Sequence, residues 1–139
     1  MVGKSAATFA FLLTLLLAAD SARAEHEIYY RYTVLGYVKD AAGKERRDVS
    51  VELVREKTGF SYLGATDDSG LYVIVARLGD ESAGERLSLR AASQTITLIA
   101  RFDPSDHTHE RGTRVDFLGA KSVETPTAFA TTLRRFLDQ

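Results

Sequence analysis

The sequence predicts an all-β domain: a single antiparallel β-sandwich of seven strands, followed by a short C-terminal α-helix. Apolar and polar residues alternate at period two in several short segments, which is typical of strands with one buried and one solvated face. Polar turn sequences separate these segments at roughly regular spacing. Only two prolines occur in the 139 residues, so few positions interrupt strand hydrogen bonding.

Seven segments carry the strand pattern. The alternation is clearest in 49–53, 86–91 and 95–102. In the last of these it predicts that four apolar side chains face inward: Ile96, Leu98, Ala100 and Phe102. β-Branched and aromatic residues, which favour strands, are frequent in four further segments: 29–39, 60–66, 71–76 and 113–118.

The turns that separate these strands are polar and contain glycine. Residues 40–44 predict one turn, and residues 67–70 predict a tight connection between two strands. A third and longer connection is expected at 79–84. No internal repeat or low-complexity linker divides the chain, so we expect one domain over residues 25–120.

The tail at 121–139 predicts an amphipathic helix. Thr125 is a suitable N-cap, and Pro126 suits the first helical position, where its missing N–H costs nothing. Apolar residues then recur at helical spacing: Phe129, Leu133, Phe136 and Leu137. This stripe is expected to pack on the sandwich; the alternative is that it docks on another protein or on a membrane surface.

Residues 1–24 predict a cleavable signal peptide. Lys4 supplies a positive start, residues 6–19 are almost wholly apolar, and residues 22–24 form a small-x-small cleavage pattern. The apolar run is shorter than the roughly 20 residues that a membrane-spanning helix needs. We therefore expect cleavage after Ala24 and a periplasmic or secreted protein that is not an integral membrane protein.

The composition limits the classes of partner. The chain has 18 Lys and Arg against 19 Asp and Glu, a formal net charge of −1, so no global positive field is available to attract nucleic acid. It contains no cysteine, which excludes disulfides and a lipid-modified cysteine. We expect the partner to be another exported or membrane protein, and the open edges of a sandwich allow either a monomer or a homodimer.

Three segments resemble the carboxypeptidase regulatory-like domains, which are small transthyretin-like (prealbumin-like) β-sandwiches. They are 34–43, where a strand runs into an Asp-x-x-Gly turn, then 49–53, then 66–72, where a glycine precedes an aromatic residue on the returning strand. The resemblance covers about residues 33–103. It implies an accessory, stabilising or adhesive module of a larger exported protein. The terminal Tyr-Arg-Gly-Ser of the transthyretin-like hydrolases does not occur here, so their catalytic residues are not carried over.

The three histidines are the candidate metal ligands. If residues 103–111 were extended, His107 and His109 would point to the same side, because side chains repeat every two residues along a strand. Two imidazoles with a nearby carboxylate suit zinc or copper. His26 lies beside the predicted new N-terminus and is a third candidate ligand. The alternative is a solvated polar loop.

The sequence contains no catalytic motif. It has neither cysteine nor a Gly-x-Ser-x-Gly elbow. We therefore expect a non-enzymatic, exported accessory or protein-interaction module. The alternatives are a small periplasmic copper- or zinc-binding protein that uses His107 and His109, and a carbohydrate-binding or hydrolase module on the same scaffold.

Overall fold

A computed structural model describes residues 29–139, so the predicted signal peptide and His26 lie outside the described residues. Eight strands form in this part of the chain: β1 Arg31–Lys39, β2 Ser50–Arg55, β3 Ser61–Ala65, β4 Leu71–Arg77, β5 Arg86–Ala91, β6 Gln94–Ile99, β7 Gly112–Leu118 and β8 Lys121–Glu124. One α-helix follows, α1 Phe129–Leu137. Short 3-10 helices occur at Asp80–Ser82 and Pro126–Ala128.

The strands form two four-stranded sheets. The first has the order β4-β1-β7-β8, and the second has the order β3-β2-β5-β6. Neighbouring strands are antiparallel except for β1 and β7, which run parallel at the centre of the first sheet. The all-β class and the C-terminal helix are confirmed, but the expectation of a wholly antiparallel arrangement is wrong.

The prediction of seven strands is also wrong, because β8 adds an eighth. Only Val123 in this four-residue strand is a large apolar residue, so it shows no alternation that a sequence pattern could detect. A tight turn at Gly119, with φ of 60°, returns the chain onto β7 and places Val123 opposite Asp116. Thus β8 belongs to the first sheet, although the sequence placed it in the C-terminal tail.

The core lies between the two sheets and follows the predicted alternation. Val51 and Leu53 of β2 are fully buried, as are Leu87 and Leu89 of β5. Tyr72 is also fully buried, and its hydroxyl donates to the carbonyl of Val115 at 2.6 Å. A buried hydroxyl with a partner avoids the cost of an unsatisfied polar group.

Helix α1 lies on β1 and β7, on the outer face of the first sheet. Phe129 and Thr132 are buried there, and a Cβ on Gly112 would lie 2.6 Å from the ring of Phe129. Two details differ from the prediction. Thr125 precedes the 3-10 helix rather than α1, and its side chain makes no capping hydrogen bond. Leu137 is 66% exposed rather than packed on the sheet. No helix in residues 29–139 is long and apolar enough to cross a membrane.

The β5–β6 hairpin closes through a two-residue turn with an unusual backbone. Ala92 and Ser93 have φ values of 49° and 66°, and Ala91 pairs with Gln94 across the turn. Positive φ at both central positions is the geometry of a type I′ turn, which favours Asn-Gly. Residues other than glycine pay a steric cost in this region.

Replacing both turn residues, Ala92→Asn with Ser93→Gly, is expected to raise the free energy of unfolding by about 1 kcal/mol, because the new residues relieve the left-handed strain. Urea unfolding followed by circular dichroism measures the change. The control Ser88→Gly, on the regular strand β5, is expected to lower the free energy of unfolding. If the double variant were no more stable than the natural chain, the inference that Ala92 and Ser93 are strained in this turn would be wrong.

Candidate functional site

The segment 103–111, here called the 103–111 loop, connects β6 to β7 and is organised around the buried guanidinium of Arg111. The Arg111 side chain is 3% exposed. Its Nη2 donates to Asp80 Oδ1 at 2.8 Å and to the Asp106 carbonyl at 3.1 Å, and its Nη1 donates to the Tyr29 carbonyl at 3.3 Å. The guanidinium also lies 4.3 Å from the ring centroid of Phe102. Arg111 thus ties the loop to two distant parts of the chain.

Asp80 joins Arg111 to one of the candidate ligands. Its second oxygen, Oδ2, lies 2.9 Å from Nε2 of His107. The ring of Tyr29 packs edge-on against the imidazole of His107, with 4.9 Å between centroids. Desolvation raises the pKa of Asp80, but the hydrogen bonds from His107 and Arg111 outweigh it and leave this pKa below its ordinary value.

Asp106 holds the other candidate ligand. Its Oδ2 lies 2.8 Å from Nδ1 of His109, while its Oδ1 accepts the backbone N–H of Thr108 at 2.9 Å. The backbone and side-chain hydrogen bonds from Thr108, and then the bond from His109, place the pKa of Asp106 well below its ordinary range. Asp103 forms a similar turn by accepting the backbone N–H of Ser105.

The 103–111 loop therefore differs from the extended segment that would align the two histidines. The turns at Asp103 and Asp106 bend it, and His107 and His109 pair with different carboxylates. No group of three or more His, Cys, Asp or Glu in residues 29–139 is arranged to hold a metal ion. His26 lies outside the described residues, so copper or zinc binding by these histidines stays a prediction.

A groove of about 350 Å³ lies between the 103–111 loop and α1. We call it the helix–loop groove. Apolar side chains from the helix line it (Ala130, Leu133 and Leu137), together with the polar Thr108 and His109 and the charged Glu110, Arg134 and Asp138. Glu110 is paired with Arg31 at 2.7 Å. Arg134 forms no ion pair with any residue in the described part of the chain, so the groove offers apolar surface beside an unpaired cation.

Both walls of the groove are held in place. The Arg111 contacts fix the loop, and Nη1 of Arg114 donates to Oγ1 of Thr132 at 3.0 Å to fix the helix. The guanidinium of Arg114 also pairs with Asp116 at 2.9 Å. A site with both walls positioned beforehand loses little conformational entropy when it binds.

The sequence identified the two histidines of the 103–111 loop and the apolar stripe of α1, but it did not identify Asp80 and Arg111, which hold the loop in place. Asp80 and Arg111 are separated by 31 residues, and no local pattern connects them. An arginine directly before a strand is usually solvated, so its burial gives no sequence signal. Leu137 belonged to the predicted helical stripe, but its exposure depends on the angle at which α1 meets the sheet.

No protein-family model matches the chain, and no curated protein matches it. The solved structures with some similarity to this chain include two dioxygenases. One is the dioxygenase domain of a novel dioxygenase carbohydrate-binding protein fusion from the cellulolytic bacterium Streptomyces sp. SirexAA-E. Its sequence is 17% identical, the TM-score is 0.44, and the match covers 64% of this chain and 79% of that chain. The other is chlorocatechol 1,2-dioxygenase from Pseudomonas putida, with 11% identity, a TM-score of 0.44, and coverage of 64% and 59%.

These matches contradict the prediction of a non-enzymatic domain, because both similar structures are enzymes. That prediction rested on the missing cysteine and the missing nucleophile elbow, which exclude only some mechanisms. We correct it: the absence of a recognisable motif on a β-sandwich is not evidence against an enzyme. At these identities and this TM-score, the matches assign this chain no activity, substrate or metal.

The substitution Arg111→Met is expected to lower the free energy of unfolding by about 2–3 kcal/mol, because it removes charge-assisted hydrogen bonds and leaves Asp80 without its guanidinium partner. Urea unfolding measures the loss. Arg101→Met is the matched control, since Arg101 is exposed and should change stability little. Equal effects of the two substitutions would contradict the role of Arg111.

The lowered pKa of Asp106 makes the fold sensitive to acid. Its carboxylate stabilises the folded chain above the ordinary Asp pKa of about 4, and this contribution is lost as the pH falls towards the folded pKa. The substitution Asp106→Asn is expected to reduce stability at pH 7 and to lessen the loss of stability between about pH 4 and pH 2. Unfolding free energies across this range test it, with exposed Asp68→Asn as control. An unchanged acid dependence in Asp106→Asn would contradict the assignment.

Proposed function

We propose that this chain is an exported β-sandwich module of the transthyretin-like type that its turns resemble. Its role is to bind a segment of another exported or membrane protein in the helix–loop groove. The signal-peptide pattern at residues 1–24 supports export to the periplasm or the exterior. The observation that carries the binding role is the groove itself, with its exposed apolar lining between two anchored walls.

The chemistry of the groove favours one kind of segment. Leu137 is 66% exposed, and covering such a side chain contributes about 1–2 kcal/mol to binding. Arg134 also lines the groove and forms no ion pair within residues 29–139, so it suits a carboxylate on the partner. The proposed occupant is therefore an extended segment with a large apolar side chain next to an acidic residue.

The other functions that the sequence allows have less support in the described residues. The histidines of the 103–111 loop are each hydrogen bonded to a separate carboxylate, and no third ligand converges on them within residues 29–139. A second groove, of about 300 Å³, lies beside Leu63 on the second sheet, but no aromatic side chain on which a sugar ring could stack is among the residues that line it. Binding of a protein segment is therefore the function that the geometry of the helix–loop groove favours.

A photo-crosslinking residue in place of Asp138, which lines the groove, is expected to trap a discrete exported or membrane protein in cells that produce the chain. Adding Ala130→Trp, which fills the groove from an exposed position, should reduce this product at least about tenfold. Mass spectrometry identifies the trapped protein and its crosslinked segment, which should carry an apolar residue beside an acidic one.

The same photo-crosslinking residue at Thr97, an exposed position on β6, is the matched control and should not yield the product. Three outcomes would contradict the proposal: equal trapping at both positions, a product that Ala130→Trp does not reduce, or no product. A product composed of two copies of this chain would likewise count against a separate protein partner at the groove.

A further inference from the structure

Two edge strands, β3 of the second sheet and β4 of the first, expose large apolar side chains. Leu63 of β3 is 75% exposed on the outer face of the second sheet, and Phe60, which precedes β3 and packs on the ring of Tyr62, is 59% exposed. Val75 of β4 is 50% exposed on the outer face of the first sheet. The hydroxyl of Tyr62 donates to the carbonyl of Arg77 at 3.5 Å, so the two edges are neighbours. We call this surface the β3–β4 side.

Strand β3 lacks the features that usually protect an edge strand from pairing. Natural edges carry charges, prolines or bulges, because unpaired backbone groups attract other strands. The sequence of β3, Ser-Tyr-Leu-Gly-Ala, contains no charge and no proline. In contrast, the edge strand β8 begins with Lys121 and ends with Glu124. Strand β6 is also uncharged, but it exposes the hydroxyl-bearing Thr95 and Thr97 rather than a large apolar residue.

The register between β2 and β3 shows which backbone groups are open. At the two ends of the pair, Arg55 N donates to Phe60 O at 2.8 Å, and Thr66 N donates to Val49 O at 3.0 Å. Because hydrogen bonding alternates along an antiparallel strand, even-numbered residues of β3 bond to β2. The backbone N–H and C=O groups of Ser61, Leu63 and Ala65 therefore point away from the sheet, at the free edge.

We propose that β3 pairs with β3 of a second copy of this chain, antiparallel and about a two-fold axis at Leu63. This arrangement places Ser61 opposite Ala65 of the second copy and Leu63 opposite its own counterpart. All three residues then exchange backbone hydrogen bonds across the axis, and the two sheets join into one continuous sheet.

The side chains favour a second copy as the occupant. The two Leu63 side chains meet on the outer face, flanked by the small Ser61 and Ala65, so that little obstructs their contact. On the inner face, Tyr62 lies opposite Gly64 of the second copy, a pairing in which an aromatic ring covers a glycine. Strand β3 carries no charged side chain, so no like charges would repel each other when two copies of the strand pair.

Analytical ultracentrifugation of the purified protein, expressed from the full-length sequence, tests the proposal. We expect a dimer that dissociates on dilution, and Leu63→Lys should weaken it at least about tenfold by placing two ammonium groups at the axis. Thr97→Lys, the same change on the other uncharged edge, should leave the dimer intact. A chain that stays monomeric at about 100 µM overturns the proposal. It is also overturned if Leu63→Lys has no effect or if Thr97→Lys is equally disruptive.

A cysteine substitution tests the register separately. Residues directly opposite in a hydrogen-bonded antiparallel pair have Cα atoms about 5.5 Å apart, within the range of a disulfide. Because the chain has no cysteine of its own, Leu63→Cys should give one covalent dimer when an oxidant is added, whereas Thr97→Cys should remain monomeric on a non-reducing gel. Equal crosslinking of the two variants would overturn the register. Circular dichroism verifies that both exposed substitutions leave the fold unchanged.

Discussion

The outer face of the β4-β1-β7-β8 sheet carries apolar side chains that must be covered, and the position of α1 follows from this requirement. Leu35 of β1 is fully buried although it lies outside the cluster between the sheets, and α1 packs on β1 and β7. Burying such side chains supplies most of the free energy that holds an amphipathic helix on a sheet. The helix–loop groove lies between α1 and the 103–111 loop, so its position also follows from the need to bury the apolar side chains under the helix.

The second sheet needs no such cover at its centre, because charged side chains occupy the outer face of β2 and β5, and Leu63 is exposed only at its edge. Arg86 pairs there with Glu56 at 3.1 Å, and Arg90 lies 3.7 Å from Glu52. Exposed ion pairs of this kind contribute little to stability but keep the surface solvated. The inner faces of the two sheets pack against each other, but their outer faces differ. The outer face of the first sheet carries α1 and the helix–loop groove, whereas the outer face of the second sheet is open to solvent.

Arg111 fixes the loop wall of the groove, and the cost of burying its charge explains the shape of that loop. A buried guanidinium needs hydrogen-bond acceptors around it. Asp80 and the carbonyl of Asp106 supply them, and the ring of Phe102 covers one face. Because the backbone must turn its carbonyls towards Arg111, the segment cannot be an extended strand. The two histidines consequently point to separate carboxylates rather than to a common ligand.

The sequence by itself determined the strands whose alternation shows which face is buried. The prediction for 86–91 coincides with β5, and that for 113–118 differs from β7 by one residue, because period two depends only on local side-chain direction. Only the tertiary structure decided the parallel pairing of β1 with β7, the addition of β8 and the burial of Arg111. Each of these depends on contacts between residues far apart in the chain, and local patterns of hydrophobicity carry no information about such contacts.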